Sequence, residues 1–118
     1  MRNWKWIALA AMVVTVPALA DDRDMKFWNL TAETVNELFL APAGSSDWSP
    51  NQCLNDVEDK TVEADERLAL KGIPAGRYDV RIADVKGRKC LIRNVAVKST
   101  GKYAFSIAEK DMKGCTPW

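Results

Sequence analysis

Arg77-Tyr78-Asp79-Val80-Arg81-Ile82-Ala83 is the stretch that decides the fold. Tyr78, Val80 and Ile82 alternate with Asp79, Arg81 and Ala83, a period of two that gives a strand one apolar and one polar face. Gly72-Ile73-Pro74-Ala75-Gly76 turns the chain sharply into this strand, and Asp84-Val85-Lys86-Gly87 turns it out again. A strand with a single apolar face has to bury that face against another layer.

Working outward, Leu91 to Val97 is rich in β-branched residues, but Ile92 and Val95 fall out of phase. A one-residue bulge near Arg93-Asn94 would restore the alternation. Tyr103, Phe105 and Ile107 alternate with Ala104, Ser106 and Ala108, and Ser99-Thr100-Gly101-Lys102 supplies a turn before them. These three strands are expected to form an antiparallel meander. Upstream, Glu66 to Ile73 reads as a strand with Leu68 and Leu70 on one face. Lys26 to Thr31 is short and aromatic. In Thr34 to Leu40 helical spacing (Val35, Leu38, Phe39) competes with strand spacing (Leu38, Leu40). Pro42 cuts the run to strand length, so it is read as a strand pairing with the first through Ala32-Glu33. Ala43 to Asp65 is polar and irregular, with Trp48, Cys53, Leu54 and Val57 as its larger apolar residues and short helical turns fitting around Asn51 to Leu54. Long irregular connections of this kind often carry function. The fold class expected is all-β: a small antiparallel β-sandwich with one long irregular loop. Phe27, Trp28, Phe39, Tyr78 and Phe105 are expected to supply much of its buried area.

The start of the chain reads differently. Arg2 and Lys5 precede an apolar run from Ile7 to Val16, and Pro17-Ala18-Leu19-Ala20 offers a small-x-small site before Asp21. That is the layout of a secretory signal peptide cleaved after Ala20, and the run is short for a membrane span, which needs roughly 20 residues. Residues 21–118 would then form one domain. Losing Arg2 and Lys5 turns 17 basic and 16 acidic side chains into 15 and 16, a formal net charge of −1. Neither a polybasic nucleic-acid binder nor a transmembrane protein is expected. Asp21, and not a cysteine, directly follows Ala20, which argues against a lipid-anchored lipoprotein.

The chain has no histidine, which removes Ser-His-Asp and Cys-His catalysis and most zinc and copper sites. Its six glycines are scattered singly, so no phosphate-binding loop is present. An enzyme would have to work through carboxylate, lysine or tyrosine chemistry, and none is expected. In an oxidising compartment two of the three cysteines should be joined. Cys90–Cys115 is favoured, because the segment between them reads as one hairpin. Cys53 would remain, either as a small buried hydrophobe or as a thiol for a partner chain.

Several residues are candidates for binding. Trp48 sits in a polar loop and either plugs the open end of the sandwich or anchors a partner or a sugar face. Asn51, Gln52 and Asp56 lie beside it. Trp118 is either tucked back near Cys115 or offered outward. Six acids between Asp56 and Glu66 suggest calcium, and Asp47, Asp56 and Asp84 are weak ligands for it at a sandwich tip, although EF-hand spacing is absent. Otherwise no cofactor is expected. Asp79 and Arg81, on one strand face, are expected to make cross-strand ion pairs. Asn29-Leu30-Thr31 is formally a glycosylation sequon.

Gly72-Ile73-Pro74-Ala75-Gly76-Arg77-Tyr78-Asp79-Val80 resembles the L-P-x-G-x-Y-x-V corner of prealbumin/Ig-like and Cna-B-like sandwich modules. The chain also resembles a family of small uncharacterised secreted bacterial proteins with F-x-N-x-T, W-G-x-N-Q and G-x-Y-D-V-R motifs. The matching residues are Phe27-Trp28-Asn29-Leu30-Thr31, Ala41-Pro42, Trp48-Ser49-Pro50-Asn51-Gln52, Tyr78-Asp79-Val80-Arg81 and Asp84-Val85-Lys86-Gly87. Ser49 stands where the motif has glycine. The resemblance implies a bacterial periplasmic or extracellular location and no particular activity. The reading is therefore an exported, monomeric, non-catalytic binding module whose partner is a protein or an envelope component. A calcium-binding sandwich, and an inhibitor or accessory subunit of a secreted enzyme, are the alternatives.

Overall fold

The computed structural model describes residues 25–118; the expected signal peptide, residues 1–20, lies outside them. Six strands run in the order β1 (Lys26–Leu30), β2 (Val35–Pro42), β3 (Arg67–Ala69), β4 (Gly76–Asp84), β5 (Lys89–Val97) and β6 (Phe105–Ala108). A 3₁₀ turn at Gln52–Asn55 lies inside the long loop, and a single helical turn, α1 (Glu109–Met112), follows β6. The strands form two three-stranded sheets, β3-β1-β6 and β2-β4-β5. All pairings are antiparallel except β1–β6, which is parallel. This is a small β-sandwich.

The core is what the alternation of β4 requires. Val80 and Ile82 are fully buried and Tyr78 nearly so, together with Val35, Leu38 and Leu40 of β2 and Phe27, Phe105 and Ile107 of the facing sheet. The Phe27 and Phe105 rings lie side by side, with centroids 5.1 Å apart. Tyr78 completes the corner at the start of β4: its hydroxyl donates to the Pro74 carbonyl at 2.6 Å, so the one polar atom of a buried ring is satisfied. Burial pushes its pKa up.

The bulge lies where the phase slip places it. Tyr78 pairs with Val95 and Val80 with Ile92, so β5 carries one residue more than β4 between these pairs, and Asn94 takes φ 60° there.

Three expectations are corrected. First, β6 does not continue the β4-β5 meander. The Ser99–Lys102 turn carries the chain to the other sheet, where Phe105 and Ile107 reach Phe27, and Ala104 N donates to the Lys26 carbonyl at 2.7 Å. A turn signature marks a change of direction without saying which layer receives the next strand. Second, β1 and β2 are not partners. The corner between them is built by Asn29 and Thr31: Asn29 Nδ2 donates to the carbonyls of Glu33 and Val62, and Asn29 Oδ1 accepts from the Thr31 amide and hydroxyl. The sequon asparagine is therefore fully buried with its amide engaged. Third, Trp28 and Phe39 are only half-buried and Tyr103 precedes β6, its ring edge-on to Trp28 at 5.1 Å. Here the aromatics divide between the core and the outer faces.

Candidate binding face

The outer face of β2-β4-β5 carries the densest chemistry. Register puts Phe39, Arg81 and Leu91 in one row across the three strands, and Glu37, Ala83 and Lys89 in the next. Two tryptophans from distant parts of the chain come down on this row. The Arg81 guanidinium carbon lies 4.2 Å from the centroid of Trp48 and 5.3 Å from that of Trp118. Lys89 Nζ lies 4.7 Å from the Trp118 centroid, and Phe39 meets Trp118 edge to face at 5.7 Å. Both indoles, Phe39 and Arg81 are half-buried. Trp48 therefore stands on a sheet face, and Trp118 is tucked back onto the same face.

Each tryptophan is held by its own device. Ala43 N donates to the Arg77 carbonyl, Gly44 N to Asp79 Oδ2 at 3.0 Å, and Ser49 N to the Leu40 carbonyl at 2.8 Å, which pins both sides of the loop around Trp48. Gly44 has φ 82°, a left-handed conformation that glycine accepts without strain. Trp118 is placed by the Cys90–Cys115 disulfide, whose Cα atoms are 5.5 Å apart. Beyond it, Leu91 N donates to the Thr116 carbonyl at 2.7 Å, and Trp118 Nε1 donates to the Ile82 carbonyl at 3.2 Å. The favoured disulfide pairing is thus the one formed, although its cysteines meet across a tail that returns to the β5 edge and not across a hairpin.

The charges that lie over the two indoles are cationic, Arg81 and Lys89, while Glu37 stands in the neighbouring row with Ala83 and Lys89. Among the described residues Arg81 has no carboxylate within ion-pair distance, and none of its side-chain N–H groups finds a protein acceptor. Its Nε is buried without a partner, while the terminal nitrogens keep access to solvent. The expected ion pair of Arg81 is not formed; two indole faces have taken the guanidinium instead. Asp79 does pair across the strands, with Arg93 at 3.3 Å, and accepts from the amides of Gly44 and Asn94. The Gly44 amide, then the Asn94 amide and Arg93, hold its carboxyl below its ordinary value against the opposing effect of burial.

The other side sheet has a comparable pair with a different ending. Arg67 lies 4.2 Å above Trp28, but Trp28 Nε1 donates to Asp65 Oδ1 at 3.1 Å. There the indole N–H has an acid partner; at Arg81 the aromatic cluster has none.

Asn51 and Gln52 are brought into the frame of the molecule. Asn51 Oδ1 accepts from the amides of Leu38 and Cys53, and its Nδ2 donates to the Asn36 carbonyl. With Ser49 on Leu40 and Val62 on Val35, these bonds close the exposed edge of β2. Gln52 is buried, its Oε1 accepting from Asn55 and the Lys71 amide. Asp56 caps its own turn through Glu58 N. Asp84 is buried and occupied by the amides of Lys86 and Arg88 and by the Arg88 guanidinium at 2.7 Å. Asp47 is exposed in the Trp48 loop. Among the described residues no three acidic or thiol side chains gather as a metal site, so Asp47, Asp56 and Asp84 are not a cluster. Cys53 is fully buried, its thiol pushed up to about 12 by burial and by the nearby Glu37 and Asp56. A groove of about 520 Å³, lined by Leu40, Pro42, Pro50, Ile73, Pro74 and Tyr78, opens at the end of the sandwich beside Asp47 and Ser49.

Sequence reasoning missed Phe39, Arg81 and Lys89 as members of one surface. The signal was present in phase: Phe39 and Arg81 both sit at outward positions of strands that become neighbours. In comparisons with protein-family models, with curated proteins and with solved structures, the chain matches none of them.

Proposed function

We propose that this protein is an exported, non-catalytic binding module whose recognition surface is the outer face of β2-β4-β5, centred on Arg81 between Trp48 and Trp118. The observation that carries this reading is the arginine held over two half-exposed indoles with no acid of its own. Tryptophan and arginine are the residue types that dominate binding hot spots, and a guanidinium pre-placed on aromatic faces loses little freedom when a ligand arrives. A disulfide in so small a domain supports an oxidising compartment such as the bacterial periplasm. Among the described residues no helix is long and apolar enough to cross a membrane. Capture from a periplasmic extract on immobilised wild type and on Trp48→Ala tests the reading. Recovery of a component by wild type that falls with Trp48→Ala supports it. Equal recovery by two chains with the same thermal midpoint removes the surface from consideration.

A further inference from the structure

We infer that the ligand of this face, taking the proposed recognition surface as given, is an acidic sugar: a pyranose ring bearing a carboxylate, as in a uronic-acid glycan. Two observations fix the chemistry. Arg81 and Lys89 stand together on the Trp118 ring and neither has a carboxylate partner among the described residues. The acid nearest to Arg81 along its own strand, Asp79, is already spent on Arg93 and two backbone amides. A ligand carboxylate would supply what the solvent-accessible terminal nitrogens of Arg81 lack, through charge-assisted hydrogen bonds.

The second observation concerns the body that carries the carboxylate. One recurring way for a peptide to dock on a sheet protein is to add a strand to a sheet edge. Next to this cluster both edges are closed: that of β2 by Ser49, Asn51 and Val62, and that of β5 at Leu91 by Thr116. What remains accessible of the two half-buried indoles beside Arg81 and Lys89 is aromatic surface, whose negative π cloud attracts the C–H face of a sugar ring. Stacking plus one carboxylate contact matches a uronate better than an acidic peptide.

Titration of the purified protein with hexagalacturonate, followed by tryptophan fluorescence, tests this, with maltohexaose and hexaglutamate as controls. The expected result is a saturable change with hexagalacturonate that weakens by about tenfold or more in Arg81→Gln and falls with added salt. Both control oligomers should bind at least as weakly as that variant. If Arg81→Gln does not fold, the exposed Lys89→Gln carries the same comparison. Absence of binding by hexagalacturonate, equal binding by the variant, or binding of hexaglutamate or maltohexaose as tight as that of hexagalacturonate overturns the inference. If the sugar fails while Trp48→Ala still loses the captured component, only the ligand class is wrong; if both fail, the surface is wrong as well.

Discussion

Trp118 Nε1 donates to the carbonyl of Ile82 at 3.2 Å, joining the C-terminal tail to the second half of β4. The bond brings an indole from the C-terminal tail onto the sheet face that Trp48 approaches from the long loop, 70 positions earlier. Arg81, the neighbour of Ile82, meets both rings. The face is thus assembled from three separate segments, and its geometry depends on how firmly the tail is tied.

The tie is covalent, through Cys90–Cys115, which closes a separation of 25 residues. A loop of that size contributes about 3.5 kcal/mol by restricting the unfolded chain. The double variant Cys90→Ala/Cys115→Ala should lose about that much in urea denaturation. Its tryptophan emission should also move to the red as Trp118 leaves Arg81 and Phe39. A stability loss without the spectral shift would mean that Thr116 and Ile82 hold the tail unaided.

Asn51 connects three backbone groups of β2 and the 3₁₀ turn. Truncation to alanine leaves them without partners at a part-buried site, a cost of about 2–3 kcal/mol. Thermal or denaturant unfolding of Asn51→Ala checks this. A destabilised but fully binding variant is expected, since Asn51 secures an edge and does not belong to the aromatic face.

Acid should loosen the far end of the sandwich. Glu109 grips Arg88 with both oxygens, at 2.6 and 3.1 Å, and Glu109 Oε1 also accepts from the Ala32 amide at 2.9 Å. Arg88 in turn holds Asp84, so the β1–β2 corner, the β4–β5 turn and α1 share one ion network. The Arg88 bond first, and then the Ala32 amide, push Glu109 from 4.5 down to about 2. A folded value below the unfolded one means that the stabilisation is fully present above about 4.5 and is lost as pH falls through about 2. Denaturation midpoints measured across that window should fall more steeply for wild type than for Glu109→Gln. Parallel slopes would place the acid sensitivity elsewhere.

The parts of the fold legible in the sequence are those governed by neighbours along the chain. The alternation of β4, its proline-glycine corner, the bulge at Asn94 and the β4–β5 turn all follow from local rules. The assignment of strands to layers did not follow, because Phe105 and Ile107 would satisfy their burial in either sheet. What decided it was the match of Phe105 to Phe27, 78 positions earlier, which no local pattern encodes. The same division applies to the candidate face. Trp48 stood out as a large apolar residue in a polar loop. Arg81 read as an ordinary strand charge until the register set Phe39 beside it and the tail laid Trp118 over it. Asn51 and Gln52 looked like ligand-binding amides, since their chemistry is the same whether the acceptors are a ligand's or the chain's own backbone.

The central claim is that Arg81, and not merely an arginine on an indole, makes this surface a recognition site. Arg67 over Trp28 on the opposite sheet has the same 4.2 Å separation and serves as an internal control. The most direct test is to compare Arg81→Gln and Arg67→Gln for retention of the component captured from periplasmic extract by wild type, after confirming equal folding. The expected result is loss with Arg81→Gln and wild-type retention with Arg67→Gln. Retention by both variants, or loss with Arg67→Gln alone, would contradict the account.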